Sequence, residues 1–413
     1  MFICSLARSS HPDANTKTDK GFEISNPDPK DGPMTVSYRC WAEVSLDALR
    51  ENLAWLRHQV GAEVRILTVV KADAYGHGLR QIAALLMQSG TDIFGVANLS
   101  EAQTIRAVGR GWAILILGVC LPEEVDAVVR DGVMPTISSL EEAKTFSSAA
   151  VRLKKAVRVH VKVDTGMGRL GTPVAEALSF IQHVRLLPNL ELQGLFMHFA
   201  SAEDNPRFAA RQAASFLGLV ESLCAQGIHI PLIHANNSAA LLYEPSTQFK
   251  LVRPGLLVYG IVPPGRRRRN VEVQRHLRPV LSWKCRVGLV RIVPPGTPVS
   301  YGSTYTTPRK MRLVVLTAGY GDGYLRAASN RAFVLLHGRR CRVLGRITMD
   351  QMVVDGTRVP GVRAGDEAVL IGRQGQQEIH ASQLAQWSGT IPWEILTNIT
   401  YRVPRIYRGG TAA

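Results

Sequence analysis

The sequence lacks the features that mark membrane proteins, disulfide-stapled proteins and zinc-finger proteins. No apolar run among its 413 residues approaches the roughly 18 residues that cross a bilayer, so we predict no association with membranes. Its six cysteines are scattered and form no CxxC pair, a spacing that favours reduced thiols in the cytoplasm over disulfides. Because no zinc-finger spacing occurs either, we predict no metal site.

Acidic residues are few relative to basic ones, with 33 Asp and Glu against 49 Lys and Arg and a net charge of +16. Such a balance is typical of nucleic-acid-binding proteins, but those proteins cluster their basic residues on one face. The dense basic run here is Arg266–Arg269, and the proline and glycine residues that precede it indicate a solvated loop. We therefore predict that the chain binds no nucleic acid.

Composition divides the chain into three segments. Residues 9–33 are rich in Ser, Asn, Asp, Lys, Pro and Gly, which predicts a disordered N-terminal extension over residues 1–38. Over residues 39–272, eight strand-like apolar runs alternate with helix-like segments; this α/β pattern predicts a (β/α)8 barrel, with a doubly wound open sheet as the alternative. Over residues 273–413, short β-branched-rich runs separated by Gly and Pro predict a mainly-β C-terminal domain. The eight apolar runs are Val64–Val70, Ile93–Ala97, Ala113–Leu117, Val133–Ile137, Val157–Val163, Leu190–Phe199, Ile230–His234 and Leu251–Tyr259.

Residues capable of chemistry stand at the ends of these runs, where the active sites of barrels lie. Lys71 and Tyr75 follow the first run, and burial there lowers the pKa of a lysine and suits it to Schiff-base chemistry. A lysine that only extends to solvent is the alternative. His198 ends the sixth run and Ser238 opens a helix after the seventh, although each alone is better explained as a core histidine and a helix N-cap. Gly255, in the eighth run, has no side chain to block a phosphate.

Several separated segments resemble bacterial alanine racemases, in the order in which the family has them. They are VVKADAYGHG, VKVDTGMGRLG, GLFMHFASAE, HANNSAA, VRPGLLVYG, VSYGSTY, GYGDGY, GRITMDQM and ITYRVPRIY. The resemblance runs from about Trp41 to Tyr407. It implies a pyridoxal-phosphate enzyme that interconverts L-alanine and D-alanine and supplies D-alanine for peptidoglycan.

The resemblance also implies roles for individual residues. Lys71 would bond the cofactor covalently, and Arg169 and Met349 would bind the substrate carboxylate. Lys162 is similar to a lysine that some family members carry as a carbamate, with an ordinary lysine as the alternative. The other cofactor-binding residues would be Tyr75, His198, Ser238, Arg253, Gly255, Leu256 and Tyr401, and those near the substrate entrance would be Tyr320 and Asp350.

Racemisation needs a base on each face of the substrate's Cα. By resemblance, Tyr301 acts on L-alanine and Lys71 acts on D-alanine. The family's catalytic tyrosine comes from the partner subunit, so the resemblance implies a homodimer with shared active sites. Arg253, if it faces the pyridine nitrogen, cannot give up its proton; it would weaken the ring as an electron sink and favour racemisation over transamination.

One position departs from the family pattern. Thr348 stands where relatives often have cysteine or serine, beside Met349, so the change bears on substrate selectivity. Tyr401 is retained, and its ring should narrow the substrate pocket. A narrower pocket favours alanine over serine or larger amino acids. The alternatives are a serine or broad-specificity racemase of the same fold, a pyridoxal-phosphate-binding barrel without turnover, and a fold-related decarboxylase. The second domain counts against the barrel without turnover, and the lack of a glycine-rich decarboxylase-like motif counts against the decarboxylase.

Overall fold

The computed structural model describes residues 38–244, 249–265 and 269–410. The predicted disordered extension, Tyr38 excepted, and residues 266–268 of the basic run lie outside these ranges. Within the described ranges, every helix is too short or too polar to cross a lipid bilayer.

Eight parallel strands form a barrel, which confirms the predicted fold class. The first ten strands are β1 (Cys40–Ser45), β2 (Arg65–Val69), β3 (Ile93–Val96), β4 (Ala113–Ile116), β5 (Thr136–Ile137), β6 (Val157–Asp164), β7 (Thr172–Pro173), β8 (Leu190–Phe196), β9 (Leu232–His234) and β10 (Leu251–Val252). Eight of them form two arcs, in the orders β10-β2-β3-β4 and β5-β6-β8-β9. A bridge between Leu115 and Met134 joins the arcs on one side, and the Arg253 N–H donates to the Asn236 carbonyl (2.9 Å) on the other.

Helices lie between the strands of the N-terminal half, and their buried apolar residues belong to the barrel core. They are α1 (Leu46–Val60), α2 (Lys71–Gly76), α3 (Leu79–Gln88), α4 (Leu99–Val108), α5 (Val125–Arg130), α6 (Leu140–Arg152), α7 (Val174–Leu186), α8 (Pro206–Ala225), α9 (Ser238–Tyr243) and α10 (Arg269–His276), with a short 3₁₀ helix at Pro122–Glu124. Ser45 caps α1, its Oγ accepting from the Ala48 N–H (3.2 Å). Leu49, Leu53 and Leu56, spaced at one helical turn, are buried in the barrel core.

The eighth predicted run, Leu251–Tyr259, is for the most part not a strand. Only Leu251–Val252 pairs with β2, as β10. Pro254 has no N–H to donate to a neighbouring strand, and the chain turns from residue 255 onwards. Leu256–Tyr259 are nevertheless buried, so the apolar run predicts their burial correctly and their conformation wrongly.

The C-terminal half is mainly β, as predicted. Its strands are β11 (Leu281–Val293), β12 (Pro298–Val299), β13 (Tyr305–Thr306), β14 (Met311–Leu316), β15 (Phe333–Leu336), β16 (Arg339–Leu344), β17 (Met352–Asp355), β18 (Glu367–Gln374), β19 (Gln377–Ile379) and β20 (Arg405–Arg408). Its helices are α11 (Ala381–Ser388), α12 (Pro392–Thr397) and 3₁₀ turns at Tyr301–Ser303, Tyr320–Asp322 and Arg326–Ala328. Nine strands form one sheet in the order β19-β18-β15-β16-β17-β14-β11-β1-β20. The buried rings of Trp283 and Tyr324, 5.6 Å apart, lie in its core.

The first strand of the chain belongs to this C-terminal sheet. Strand β1 pairs antiparallel with β11 and parallel with β20. Residues 40–45 therefore lie outside the barrel, which differs from the predicted barrel segment over residues 39–272. The pairing joins segments from opposite ends of the chain, and a local hydrophobic pattern does not reveal which strand lies beside which.

Candidate active site

A left-handed turn follows the first barrel strand and carries Lys71 and Tyr75. Residues Ala72–Tyr75 all have φ between 52° and 54°, a conformation that costs about 1–2 kcal/mol for each residue with a side chain. Local hydrogen bonds hold it: the Leu79 N–H donates to Asp73 Oδ1 (2.7 Å), and the Gly78 N–H donates to the Asp73 carbonyl (3.0 Å). A strained turn of this length is found where the surrounding structure imposes it, and such turns concentrate at functional sites.

Lys71 begins this turn and is half-buried at the mouth of the barrel. Burial lowers the pKa of its ammonium, the positive charge of Arg169 lowers it further, and Glu101 partly opposes both. The environment therefore favours a neutral amine more than water does, which is the condition for a nucleophile or a base.

Tyr75, Ser238 and Gly255 converge at one place on the barrel rim. The Ser238 Oγ accepts from the N–H groups of Gly255 (2.9 Å) and Leu257 (3.4 Å). A Cβ at Gly255 would lie 2.5 Å from the Tyr75 Oη. Burial raises the pKa of Tyr75 to about 12, which keeps it a neutral phenol. The rim therefore presents the hydroxyl groups of Tyr75 and Ser238 beside the backbone of Gly255, which carries no side chain.

Ser238 is not a helix N-cap, contrary to the plainer interpretation of its sequence position. Asn237 caps α9, with its side-chain oxygen accepting from the Ala240 N–H (2.9 Å). The hydroxyl of Ser238 points instead to residues 255–257, where it meets the segment after β10. Leu256, also predicted for this site, lies buried in that segment.

A fully buried arginine lies among neutral acceptors beneath the site. The Arg253 guanidinium donates to the carbonyls of Met197 (2.8 Å) and Ala235 (2.9 Å) and to His234 Nδ1 (2.7 Å), and it lies 3.3 Å from His198 Nδ1. Burial and this positive charge lower the pKa of both histidines well below the ordinary value. The imidazoles are therefore neutral, and His198 lies two residues beyond the end of β8 rather than at its end.

The sequence prediction omitted two histidines from the candidate site. His234 Nε2 lies 2.9 Å from His160 Nδ1, so the two rings extend the Arg253 cluster into the barrel. Burial and Arg253 lower the pKa of His160 to about 3. His160 stands inside the apolar run Val157–Val163, and a histidine in such a run could have indicated a buried polar cluster from the sequence.

Lys162 and Arg169 complete the cationic side of the barrel mouth. The buried Lys162 Nζ donates to the Val163 carbonyl (2.8 Å), and burial and Arg253 lower its pKa to about 7. Asp164 accepts from the N–H groups of residues 166, 167 and 168 (2.8–2.9 Å), which shapes the loop that presents the exposed Arg169. The charges of Lys71, Lys162, Arg169 and Arg253 all lower the pKa of His198, so the barrel brings these predicted residues together.

The predicted residues of the C-terminal half lie on its surface. Tyr301 is 71% exposed and Tyr401 is 96% exposed. Met349, Tyr320 and Asp350 are exposed too, and the Arg402 guanidinium donates to Asp350 Oδ1 (2.7 Å). Within the described part of the chain, no hydrogen bond or ion pair joins Tyr301 to the barrel, so a single chain does not bring the two predicted bases together.

Models of two domain families match the chain: alanine racemase, N-terminal domain, at residues 44–263, and alanine racemase, C-terminal domain, at residues 280–407. The chain belongs to the alanine racemase family. It is 40% identical over 369 residues to the alanine racemase of Halothermothrix orenii, covering 89% of this chain and 96% of that protein. The solved alanine racemase of Clostridium difficile 630 is 34% identical with a TM-score of 0.84, covering 90% and 96% of the two chains. The alanine racemase of Bartonella henselae, solved with covalently bound pyridoxal phosphate, is 27% identical with a TM-score of 0.80, covering 90% and 100%.

Membership of this family settles the reaction class. The chain is a pyridoxal-phosphate-dependent isomerase, and its activity is the interconversion of L-alanine and D-alanine.

Proposed function

We propose that Lys71 and Tyr301 are the two bases of the alanine racemase reaction, and that its D-alanine enters peptidoglycan. The observation that carries this proposal is the strained turn that holds Lys71 beside the Tyr75, Ser238 and Gly255 rim. A half-buried lysine of lowered pKa near the hydroxyl groups of Tyr75 and Ser238 suits an enzyme that anchors a phosphorylated aldehyde.

The residues present fit pyridoxal phosphate. Lys71 would bond its aldehyde, and the hydroxyls of Tyr75 and Ser238 with the backbone of Gly255 and Leu256 would hold its phosphate. The close approach of the Tyr75 hydroxyl to the Gly255 backbone, which a Cβ would prevent, supports this assignment. Tyr401 would close the phosphate site from the C-terminal half, and His198 would lie against the ring. When bound, the cofactor supplies an electron-withdrawing ring that makes the Cα–H bond of an amino acid acidic.

Arg253 would face the pyridine nitrogen of the cofactor. Every acceptor that it meets in the structure is a neutral carbonyl or imidazole. A guanidinium keeps its proton at physiological pH, so the nitrogen would accept a hydrogen bond without gaining a proton. Arg253 would thereby limit how much charge the bound cofactor withdraws from Cα, which would favour return of a proton to Cα over transamination.

The proton transfers would occur on opposite faces of the substrate. The Lys71 amine would take the proton from D-alanine, and its lowered pKa supports a neutral amine in that role. Tyr301 of the partner subunit would take the proton from L-alanine. Arg169 and the Met349 N–H would hold the substrate carboxylate, and Tyr320 and Asp350 would lie near the entrance.

Lys162 is suited to carry a carbamate. Carbon dioxide adds to a neutral amine, and a pKa of about 7 makes much of this amine neutral at cellular pH. The added negative charge would lie near Arg253 and Arg169, which both repel the lysine in its ammonium form. A carbamate would therefore exchange a repulsion for an attraction and orient Arg169 towards the substrate.

The proposed enzyme is a cytoplasmic homodimer. Tyr301, exposed on the single chain, would enter the barrel mouth of the partner, and the reverse contact would complete the second site. Cys40, Cys285 and Cys341 are buried free thiols, the state that a reducing compartment maintains. That the chain binds no nucleic acid stays a prediction.

The proposal is tested by following D-alanine formation from L-alanine by chiral chromatography, together with the visible absorbance of the bound cofactor. Lys71→Ala should abolish both signals, while Lys310→Ala, at an exposed lysine, should preserve them. Tyr301→Phe should lower kcat by about 10²–10⁴-fold with the absorbance retained, since a general base contributes that much. A fully active Tyr301→Phe enzyme would contradict the two-base assignment.

A further inference from the structure

Two glycines of the lysine motif are explained by contacts with the C-terminal half. A Cβ at Gly76 would overlap the backbone carbonyl of Leu396 in α12, and a Cβ at Gly78 would overlap the hydroxyl of Tyr407 in β20. Both glycines also have positive φ, 76° and 95°. The C-terminal half therefore packs directly on the backbone of the turn that carries Lys71.

Arg405, at the start of β20, connects this turn to a loop of the C-terminal half. Its Nε donates to the Gly76 carbonyl (2.9 Å), at the end of the left-handed turn. Its two Nη atoms donate to three carbonyls of the segment 399–403, the loop that carries Tyr401. These are the carbonyls of Ile399 (2.7 Å), Thr400 (2.7 Å) and Val403 (2.6 Å). Tyr407 adds a hydrogen bond from its hydroxyl to the His77 carbonyl (3.0 Å).

We propose that Arg405 is a positioning residue, which fixes the turn that carries Lys71 and Tyr75 relative to the loop that carries Tyr401. The proposal rests on the proposed function, in which these three residues hold one cofactor from two sides. Arg405 touches none of the reacting atoms; it acts through the backbone of both segments.

We expect the left-handed turn to depend on this support. Alanine and tyrosine disfavour positive φ, so contacts from the C-terminal half would stabilise residues 72–75 in addition to the local hydrogen bonds of Asp73. Arg405 supplies charge-assisted hydrogen bonds, which are stronger than bonds between neutral groups. Burial lowers the pKa of its guanidinium and Asp73 partly opposes that effect, but an arginine stays protonated at neutral pH in either case.

A lysine cannot replace this arginine. The four carbonyls belong to two segments and are reached by three different nitrogen atoms of one planar group. An ammonium has a single nitrogen, so Arg405→Lys keeps the charge and loses the connection. The substitution therefore separates positioning from simple charge balance.

The test compares holoenzymes of full length: wild type, Arg405→Lys, Arg405→Gln and, as a matched control, Arg312→Lys. Arg312 donates to a carbonyl at Val359 (2.7 Å), within the C-terminal half. Cofactor loss on dialysis is followed by visible absorbance, and amide hydrogen exchange is followed at residues 72–76 and 399–403. Arg405→Lys should lose cofactor about tenfold faster or more, since a hydrogen bond to a charged group contributes that much. It should exchange faster in both segments, and Arg312→Lys in neither.

The outcomes separate positioning from general stability. If Arg405→Lys retains cofactor as the wild type does, or loses protection evenly along the chain, the proposal is wrong. If it fails to fold, Arg405→Gln decides, because its planar amide has one donor nitrogen and cannot connect the two segments: faster exchange at residues 72–76 and 399–403 supports the proposal, and wild-type exchange there overturns it. A Lys71→Ala enzyme with full activity would refute the proposed function instead, and the exchange data would still decide whether Arg405 connects the two segments.

Discussion

Two inactive variants should restore activity when they share a dimer. Lys71→Ala removes the proposed base of the barrel, and Tyr301→Phe removes the proposed base of the C-terminal half. Because Tyr301 is 71% exposed on the single chain, its phenol is available to the barrel of another chain. A dimer of one variant with the other would have one site with both substitutions and one site with neither.

The expected recovery follows from counting sites. If equal amounts of the two chains are co-expressed and pair at random, about half of the dimers are mixed, and about a quarter of all sites are intact. Each variant alone should have at most about a hundredth of wild-type activity, because it lacks a general base. The mixture should therefore exceed either variant by a factor of about 25 or more.

Differently tagged chains allow the mixed dimer to be isolated through both tags. Its activity, measured as D-alanine formed from L-alanine, should be about half that of the wild type. A control dimer pairs Lys71→Ala with a chain that carries both substitutions and has no intact site. If the isolated mixed dimer is no more active than this control, Tyr301 does not act across the dimer, and the shared site is wrong.

Three further predictions concern the barrel. Gly255→Ala places a Cβ 2.5 Å from the Tyr75 Oη, so it should weaken cofactor retention by about tenfold, while Gly218→Ala, with open space around it, should not. Burial lowers the pKa of His77 to about 4, whereas in the unfolded chain it is about 6.5. The stabilisation from neutral His77 is therefore complete above pH 6.5 and is lost as the pH falls towards 4. Between pH 7 and pH 5 the wild type should lose about 2 kcal/mol that His77→Gln does not lose, measured from urea midpoints. In ¹³C-bicarbonate above pH 7, ¹³C NMR should show a carbamate signal that Lys162→Arg lacks; its absence from the wild type would leave an ordinary lysine.

The barrel strands could be predicted because burial on both faces leaves a local signature. Ile66, Leu67 and Val69 of β2 are buried. The first seven of the eight predicted runs each contain a whole barrel strand or all but its last residue. The eighth run shows the limit of that signature. Leu256–Tyr259 are as buried as a strand while forming a turn, and only Pro254 indicates the difference.

Contacts between distant segments could not be predicted. Strand β1 pairs with β20, and Arg405 donates a hydrogen bond to the Gly76 carbonyl. Both contacts join a segment near the start of the described chain to one near its end. The left-handed turn itself runs against the preferences of its own residues, so local propensity predicts another conformation. The role proposed for Tyr301 came from the family resemblance, because this residue is exposed on the single chain.

In the proposed mechanism, the positive charge at the barrel mouth would serve two purposes. Lys71, Lys162, Arg169 and Arg253 all lower the pKa of His198, and Arg169 lowers that of Lys71. Such mutual repulsion disfavours protonated amines, which is what a lysine base requires. The same positive charges attract anions, and a bound anion relieves their mutual repulsion. The charges that keep the lysine neutral should therefore also strengthen binding of the cofactor phosphate and the substrate carboxylate. A site with carboxylates in place of these neutral histidines and carbonyls would gain stability when empty but would lose both the neutral amine and the attraction for its ligands.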